Sequence, residues 1–267
     1  DEELIEKVMA SLQKFKIHSW INLISIMSLN DIRNRYRRSL IGPFWITIRI
    51  SVTVTCIGLV FGSIFGSPME EFLPFLTVGL IVWLFIGAII EDGCNAFVSA
   101  EELIKQLSVP FYIHTLRVVW LQTIVFFHNI LLIPFVMLVF KKAPSLTLFL
   151  VIPGLILLLT ILTWVCIICA IISTRFRDLQ QIISSLLQVG FYVTPVIWMP
   201  SMLPDRVGST LLNANPFYHM IEIVRAPILG NFPTLENWVV CISISIFGWI
   251  FTFLIYNKTR KHIAYWL

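Results

Sequence analysis

Charge is scarce in this sequence. Only 13% of its 267 residues are charged, whereas 58% are hydrophobic, and the mean hydropathy is +0.88. A soluble domain of ordinary composition carries about 25% charged residues, which it needs to cover its surface. The composition therefore excludes an ordinary soluble domain and predicts an integral membrane protein.

Motifs for common catalytic chemistry are also missing. The sequence has no G-x-x-x-x-G-K-[ST] loop for nucleotide phosphates, no H-E-x-x-H and no G-x-S-x-G. Cys166 and Cys169 form a C-x-x-C, but they lie in an apolar run with no second pair of ligands. Small core residues are therefore favoured over a metal or redox site. We therefore expect that this chain is not an enzyme and that it holds no metal ion and no cofactor.

Long apolar segments recur along the sequence. A helix needs about 20 residues to cross the hydrocarbon of a bilayer, and these runs lack the alternation of barrel strands. The six predicted spans are Phe44–Phe65, Pro74–Ile90, Val118–Phe140, Leu148–Ile172, Ile182–Trp198 and Trp238–Tyr256. The second and fifth are short and leave room for an extra turn at either end. The predicted fold is an all-α membrane protein with six transmembrane helices.

Basic residues concentrate on one side of these spans. With the N-terminus inside, 14 Lys and Arg residues fall in cytoplasmic segments and 4 fall outside, with Arg49 left within the first span. The positive-inside rule therefore predicts that both termini are cytoplasmic. The predicted regions are a cytoplasmic segment (1–43), a transmembrane domain (44–257) and a cytoplasmic tail (258–267).

Three segments outside the spans have patterns of their own. Residues 1–38 repeat apolar positions at helical spacing (Leu4, Val8, Leu12, Phe15), which predicts an amphipathic helix in the membrane interface, with a soluble helical hairpin as the alternative. Residues 91–117 form a predicted cytoplasmic helix and loop. Residues 200–237 predict two short re-entrant or surface helices broken near "NANP" on the outer side. These helices are interpreted either as an outer gate or as a packing cap without a gating role.

Two groups of residues are candidates for a polar pathway. Arg49 follows Gly42 by seven residues, which is about 10 Å along a helix, and it either snorkels to lipid phosphate or receives an anionic group on a pathway. The aromatic residues of the first and fifth spans either belong to an interfacial belt or line a conduit, where a flat ring suits the apolar face of a sugar. The candidates for a conduit are Phe44, Trp45, Phe191, Tyr192 and Trp198.

Four stretches together carry a resemblance to a known family. They are "RNRYRRSLIGPFW", "LIKQLSVPFYIHTLR", "RFRDLQQI" and "NANPFYHMIEIVRAPILG", in this order along the chain. With them the chain resembles the membrane-spanning subunit of ABC-2-type polysaccharide exporters. These exporters move lipid-linked O-antigen, and their relatives move capsule and teichoic acid. The resemblance covers essentially the whole chain.

The resemblance implies partners and a location. It implies a homodimer in the bacterial inner membrane, bound to two copies of a separate ATPase subunit that would hold ATP and Mg. The segment around Glu101–Val109 then looks like a helix that seats in the ATPase, with Glu101, Glu102 and Lys105 as polar contacts. An undecaprenyl-pyrophosphate-linked glycan would be the cargo.

The resemblance also implies roles for residues along the route. The first and fifth spans look like channel walls, and the short helices within Ser201–Leu229 look like an outer gate. The gate candidates are Pro216, Tyr218, Glu222 and Arg225. The candidates for lipid or pyrophosphate contact at the cytoplasmic entrance are Arg33, Arg37, Arg38 and Arg49. Many members carry a neutral residue where Arg49 stands, so the role of Arg49 does not carry over.

Other functions compete with glycan export. An ABC-2 permease for drugs or other lipids would share the fold but move another cargo. A membrane enzyme such as a lipid-linked glycosyltransferase would need acidic catalytic groups near a membrane face, and Glu91 and Asp92 are the candidate pair there. An ion-coupled transporter or a channel would need buried charge, which is almost absent from the spans.

Overall fold

The structure, a computed structural model, describes residues 20–34, 41–42, 44–106, 109–202, 204 and 210–267. Within these ranges the regular elements are all helical, which confirms the all-α prediction. The predicted amphipathic positions Leu4, Val8, Leu12 and Phe15 lie outside the described residues, as do Arg37 and Arg38.

The described helices are numbered here in chain order. They are α1 (20–34), α2 (Phe44–Phe65), α3 (Met69–Cys94), α4 (Glu101–Gln106), α5 (Phe111–Ile130), α6 (Leu132–Val139), α7 (Val151–Arg175), α8 (Leu179–Val193), α9 (210–213), α10 (Pro216–Ile228), α11 (Leu235–Thr259) and α12 (Ile263–Trp266). Short 3₁₀ turns precede α4 and α7, at Val98–Ala100 and Leu146–Leu150, and a third follows α8 at Pro200–Met202.

Five described segments are long and apolar enough to cross a membrane: Phe44–Ile64, Met69–Cys94, Phe111–Val139, Leu146–Arg175 and Leu235–Thr259. They correspond to the predicted spans one to four and six. The first has the predicted bounds, and the second extends at both ends as its short length indicated. The third begins earlier, at Phe111, directly after Pro110 at the N-cap. It is interrupted at Leu131 because Pro134 has no N–H to donate to the Ile130 carbonyl.

The fifth predicted span is the main correction. The predicted helix Ile182–Trp198 is instead α8, Leu179–Val193, whose 15 residues extend only about 22 Å. The helix ends there because Pro195 disfavours helical geometry at the residue before it, and Thr194 is extended with ψ 137°. The fifth passage through the bundle therefore consists of a short helix followed by an extended segment.

Helix α3 forms the centre of the bundle. In its most apolar stretch 78% of the residues are buried, against 17% for α2 and for α11. It packs against α2, α5, α7, α8 and α10, whereas α11 packs mainly on α7. Gly93 lets α3 approach α7 closely, since a Cβ there would lie 3.2 Å from the Cα of Cys166. The predicted core residues Cys166 and Cys169 are both buried in α7.

The bundle has two distinct ends. At one end, a small apolar cluster joins the segment after α3 to α7 and α12 through Phe97, Ile171 and Ile263, with Ile104 of α4 packed against it. We call this the α4 end. At the other end, Thr147 donates a 2.9 Å hydrogen bond to the Pro227 carbonyl, which ties the turn before α7 to α10. We call this the α10 end.

Candidate coupling, conduit and gate sites

A salt bridge clamps α1 onto the start of α5 at the α4 end. Both carboxylate oxygens of Asp31 accept hydrogen bonds from the guanidinium of Arg117. The hydroxyl of Ser28 adds a 3.0 Å hydrogen bond to the Arg117 carbonyl. The apolar residues Leu23, Ile24 and Met27 of α1 are half-buried here. Sequence reasoning counted Arg117 only as a cytoplasmic charge, because nothing in the local pattern reveals a partner 86 positions away.

The six residues of α4 present charge to solvent at the same end. Lys105 Nζ donates to Glu101 Oε1 at 2.6 Å, one helical turn apart. This hydrogen bond and the ammonium charge lower the pKa of Glu101 below its usual value. Glu102 is exposed and forms no ion pair with another described residue. All three predicted coupling residues therefore lie together on one short helix, with Ile104 turned towards the apolar cluster.

The predicted gate segment is built around a buried arginine at the α10 end. Arg225 of α10 is fully buried, and its Nε and Nη2 donate to Glu222 Oε2 at 3.0 and 2.6 Å. Its Nη1 donates to the Pro195 carbonyl at 2.6 Å, and its Cζ lies 3.8 Å from the centre of the Phe75 ring. Gly79 of α3 leaves room for it, since a Cβ there would lie 3.2 Å from Nη1.

Helix α10 begins at the predicted break in "NANP". Asn215 is its N-cap, with Oδ1 accepting from the backbone N–H groups of Phe217 and Tyr218, and Pro216 takes the first helical position. The Asn215 amide also donates to Thr194 Oγ1 at 2.9 Å. Asn215 therefore both starts α10 and binds the extended segment that follows α8.

These contacts satisfy the irregular backbone of the fifth passage. Unpaired backbone groups are costly at membrane depth, where non-helical chain is tolerated only when it is buried in protein or lines a cavity. Thr194, Pro195 and Val196 are buried, and the side chains of Arg225 and Asn215 bind this segment. Sequence reasoning placed Arg225 in the gate but did not find this role.

The predicted conduit aromatics divide into two groups. Phe44, Trp45 and Tyr192 are largely exposed on α2 and α8. Phe191 is half-buried against Trp83, with ring centres 5.8 Å apart, and Trp198 donates from Nε1 to the Tyr192 carbonyl at 3.1 Å. The exposed rings belong to the two helices predicted as walls, and both half-buried residues contact Tyr192.

Helix α8 presents two different rows of exposed side chains. Its polar row consists of Gln181, Ser185, Gln188 and Tyr192, and its apolar row consists of Ile182, Leu186, Val189 and Val193. Each row follows a spacing of four, three and four residues, which keeps it on one face of a helix. A helix that faced lipid all round would have no such polar row.

A mixed polar and apolar cleft separates α2 from α8. Both helices pack on α3, and between them lies a cavity of about 480 Å³. Its polar lining consists of Arg49, Glu91, Gln122, Asn129, Ser184 and Gln188. Asn129, one residue from the end of α5, lies at one side of the cleft, and Glu91, three residues from the end of α3, lies towards the α4 end. Arg33 lies exposed on α1, which is clamped at that same end.

Comparison with known proteins places this architecture in a family. The family model described as ABC-2 type transporter matches residues 22–229, from α1 to the end of α10. A curated relative from Klebsiella pneumoniae, "O-antigen export system permease protein RfbA", is 23% identical over 257 residues, covering 96% of this chain and 99% of the relative. The RfbA permease of Myxococcus xanthus is 24% identical over 86% of this chain and 90% of its own length. The chain therefore belongs to the ABC-2 type transporter family, as a multi-pass membrane component.

Proposed function

We propose that this chain is the permease subunit of an ATP-driven exporter that moves a lipid-linked polysaccharide, O-antigen in the first place, across the bacterial inner membrane. The similarity to curated O-antigen export permeases along almost the whole chain carries this choice of cargo. Undecaprenyl pyrophosphate is the proposed lipid carrier.

The open faces of α2 and α8 support a conduit between two copies of the chain. Both helices leave large side chains exposed, such as Trp45 and Tyr192, while α3 behind them is buried. In the proposed homodimer the apolar row of α8 packs against the second copy, and its polar row faces water and glycan hydroxyls. Since one chain supplies only one side of such a conduit, two are needed.

In this proposal the ATPase subunits act on the permease at its α4 end. We place this end in the cytoplasm on the basis of the positive-inside rule. In this proposal two copies of a separate ATPase subunit hold ATP and Mg and bind α4 through Glu101, Glu102 and Lys105. The clamp between Asp31 and Arg117 makes α1 move together with the start of α5. Ile104 of α4 and Phe111 of α5 pack against the same apolar cluster, so movement of α4 would be passed to α5 and, through the clamp, to α1.

The arginines near the end of α1 suit the phosphates of the lipid carrier. Arg33 is exposed there, and Arg37 and Arg38 follow it in the sequence outside the described residues. Guanidinium groups bind phosphate oxygens through paired N–H groups. We assign the contact with pyrophosphate to these arginines. At the α10 end, Pro216, Tyr218, Glu222 and Arg225 belong to the proposed outer gate.

A deletion and complementation experiment tests the function. In the source organism, loss of this gene is expected to stop O-antigen from reaching the cell surface while lipid-linked polymer accumulates inside. Complementation by the gene is expected to restore surface polymer, as measured by antibody binding to intact cells. Unchanged surface polymer in the deletion strain, together with new sensitivity to drugs, would favour the drug permease instead.

A further inference from the structure

We propose that a groove between α5 and α11 binds one anionic glycerophospholipid, with its phosphate on Arg260 and an acyl chain along the aromatic walls. The groove shares no lining residue with the cleft between α2 and α8. The proposal therefore goes beyond the proposed function and does not depend on which cargo is exported.

The groove has its floor on α7 and its walls on α5 and α11. Both wall helices pack on α7, and between them lies a cavity of about 260 Å³. Tyr112 of α5 and Trp249 and Phe253 of α11 line it and are exposed, so it opens at the surface of the bundle. This volume is small for a whole organic ligand, whose sites usually take about 300–1,000 Å³. A segment of one acyl chain is a suitable occupant, because α5 and α11 belong to candidate membrane spans.

Thr252 indicates where a polar group of the ligand lies. Its side chain is buried and lines the groove, but its hydroxyl has no hydrogen-bond partner within the described chain. Thr163, which lines the same groove, instead donates to the Leu159 carbonyl one turn earlier at 2.7 Å. Buried hydroxyls are nearly always paired, so the unpaired one points to an acceptor from outside the protein. The ester carbonyl of a glycerophospholipid is such an acceptor.

Arg260 supplies positive charge where the groove reaches the α4 end. It follows Tyr256, a lining residue, by four positions and keeps helical φ and ψ of −50° and −31°, so it continues the same face of α11. It is exposed and forms no ion pair with another described residue. It stands eight residues, about 12 Å, from Thr252, and helical side chains lean towards the N-terminus, which shortens this gap.

The surrounding charge favours an anion. Residues 237–267 include three Lys or Arg residues and no Asp or Glu. A guanidinium binds two phosphate oxygens through paired N–H groups, and basic pockets between transmembrane helices commonly bind anionic headgroups. Acyl chains gain little by exchanging lipid for an apolar protein surface, so the headgroup decides which lipid binds. Phosphatidylcholine carries a cationic choline beside its phosphate, which this basic segment repels.

Titration of the full chain in detergent, followed by native mass spectrometry, tests the proposal. The probes are palmitoyl-oleoyl phosphatidylglycerol and palmitoyl-oleoyl phosphatidylcholine, which share their acyl chains and differ in headgroup. The variants are Arg260→Gln and Phe253→Ala. Their matched controls are Lys258→Gln and Phe251→Ala, each two residues earlier and therefore about 200° around the helix from the groove. All four side chains are exposed, so each variant is expected to fold.

We expect one phosphatidylglycerol per chain, bound about fivefold or more tightly than phosphatidylcholine. Arg260→Gln should remove this preference, whereas Phe253→Ala should weaken the binding of both lipids. Thr252→Val should also weaken both, and Thr252→Ser, which keeps the hydroxyl, should bind like the wild type. Both matched controls should retain the affinity and the preference of the wild type.

Three results would overturn the site. Equal binding of the two lipids by the wild type would remove the role of the anionic headgroup. An equal loss in Lys258→Gln and Arg260→Gln would show attraction by the general basic charge of this end rather than by a site. A change of oligomeric state in Arg260→Gln or Phe253→Ala, without a change in bound lipid, would make the groove an interface between copies of the chain.

Discussion

The guanidinium of Arg225 donates a 2.6 Å hydrogen bond to the carbonyl oxygen of Pro195, 30 residues earlier in the chain. The first residue belongs to α10, and the second to the extended segment that completes the fifth passage. The contact explains how a helix of only 15 residues can form part of the helical bundle. The chain continues in extended form after α8, and a buried cation binds a carbonyl that no helix satisfies.

Removing this cation is expected to destabilise the protein strongly. Arg225→Met would leave both Glu222 and the Pro195 carbonyl without their partner, and breaking a buried ion pair in this way costs about 3–5 kcal/mol. The measurement is thermal unfolding in detergent, followed by tryptophan fluorescence. The double variant Arg225→Met with Glu222→Gln should recover part of the loss, because the uncompensated carboxylate is then gone. Equal stability of Arg225→Met and wild type would contradict this role.

The clamp between α1 and α5 can be tested by exchanging its charges. Asp31→Arg or Arg117→Asp alone places two like charges together and should release α1 from the bundle. We expect each single variant to lower export while ATP hydrolysis continues, since α1 would no longer follow α5. The measurement is the ratio of polymer exported to ATP hydrolysed.

Combining the two clamp changes supplies the control. Asp31→Arg with Arg117→Asp restores opposite charges at the same positions, and the Ser28 contact to the backbone carbonyl of residue 117 is unaffected. The double variant should therefore regain a substantial part of the coupling. If it is as poor as the worse single variant, the ion pair does not transmit the motion.

Charge reversal on α4 is expected to uncouple the permease from its ATPase. Glu102→Lys with Lys105→Glu would change the charges that α4 presents at its exposed face while leaving Ile104 in the apolar cluster. Export should fall sharply while the amount of protein in the membrane stays the same, as measured by surface polymer and by immunoblot. Lys141→Glu, an exposed reversal at the α10 end, is the matched control. Normal export by the double variant would remove α4 from the coupling site.

The pH dependence of α4 follows from the direction of the shift at Glu101. Lys105 lowers the pKa of this carboxyl below the ordinary value of 4.5, so the pair is fully formed above that pH and is lost only as the pH falls through the lowered pKa. Binding of the ATPase should therefore not depend on Glu101 ionisation between about pH 8 and about pH 5. A binding transition in this range that Glu101→Gln abolishes would contradict the pairing.

Two glycines in transmembrane helices should respond differently to the same substitution. A Cβ on Gly154 of α7 would lie 2.5 Å from the carbonyl oxygen of Ile223, which is backbone and cannot move aside easily. Gly154→Ala is expected to destabilise the packing of α7 on α10 by about 1–3 kcal/mol. Gly87→Ala meets open space and should be neutral or slightly stabilising, because alanine favours a helix. Thermal unfolding of both variants gives the comparison.

Prediction from sequence succeeded where a single segment decides the outcome. The predicted span Phe44–Phe65 has the observed bounds, because a mainly apolar segment of 22 residues can satisfy its backbone in hydrocarbon only as a helix. The break near "NANP" was likewise readable, since an Asn N-cap followed by Pro starts a helix locally. The shortened α8 was missed, although the Thr194-Pro195 step carried the signal for it.

The sequence by itself therefore determined the solvent, the helical class and most of the spans, because hydropathy and local steric rules act within one segment. The tertiary structure decided which partners the charged side chains bind. Arg225 joins Glu222 and Pro195, Arg117 joins Asp31, and Arg49 shares a cleft with Glu91. Most of these partners lie 30 or more positions apart. The packing of α1 on α5, of α2 beside α3, and of α10 on the segment after α8 brings them together. Such contacts depend on where the backbone places each side chain, which no local pattern encodes.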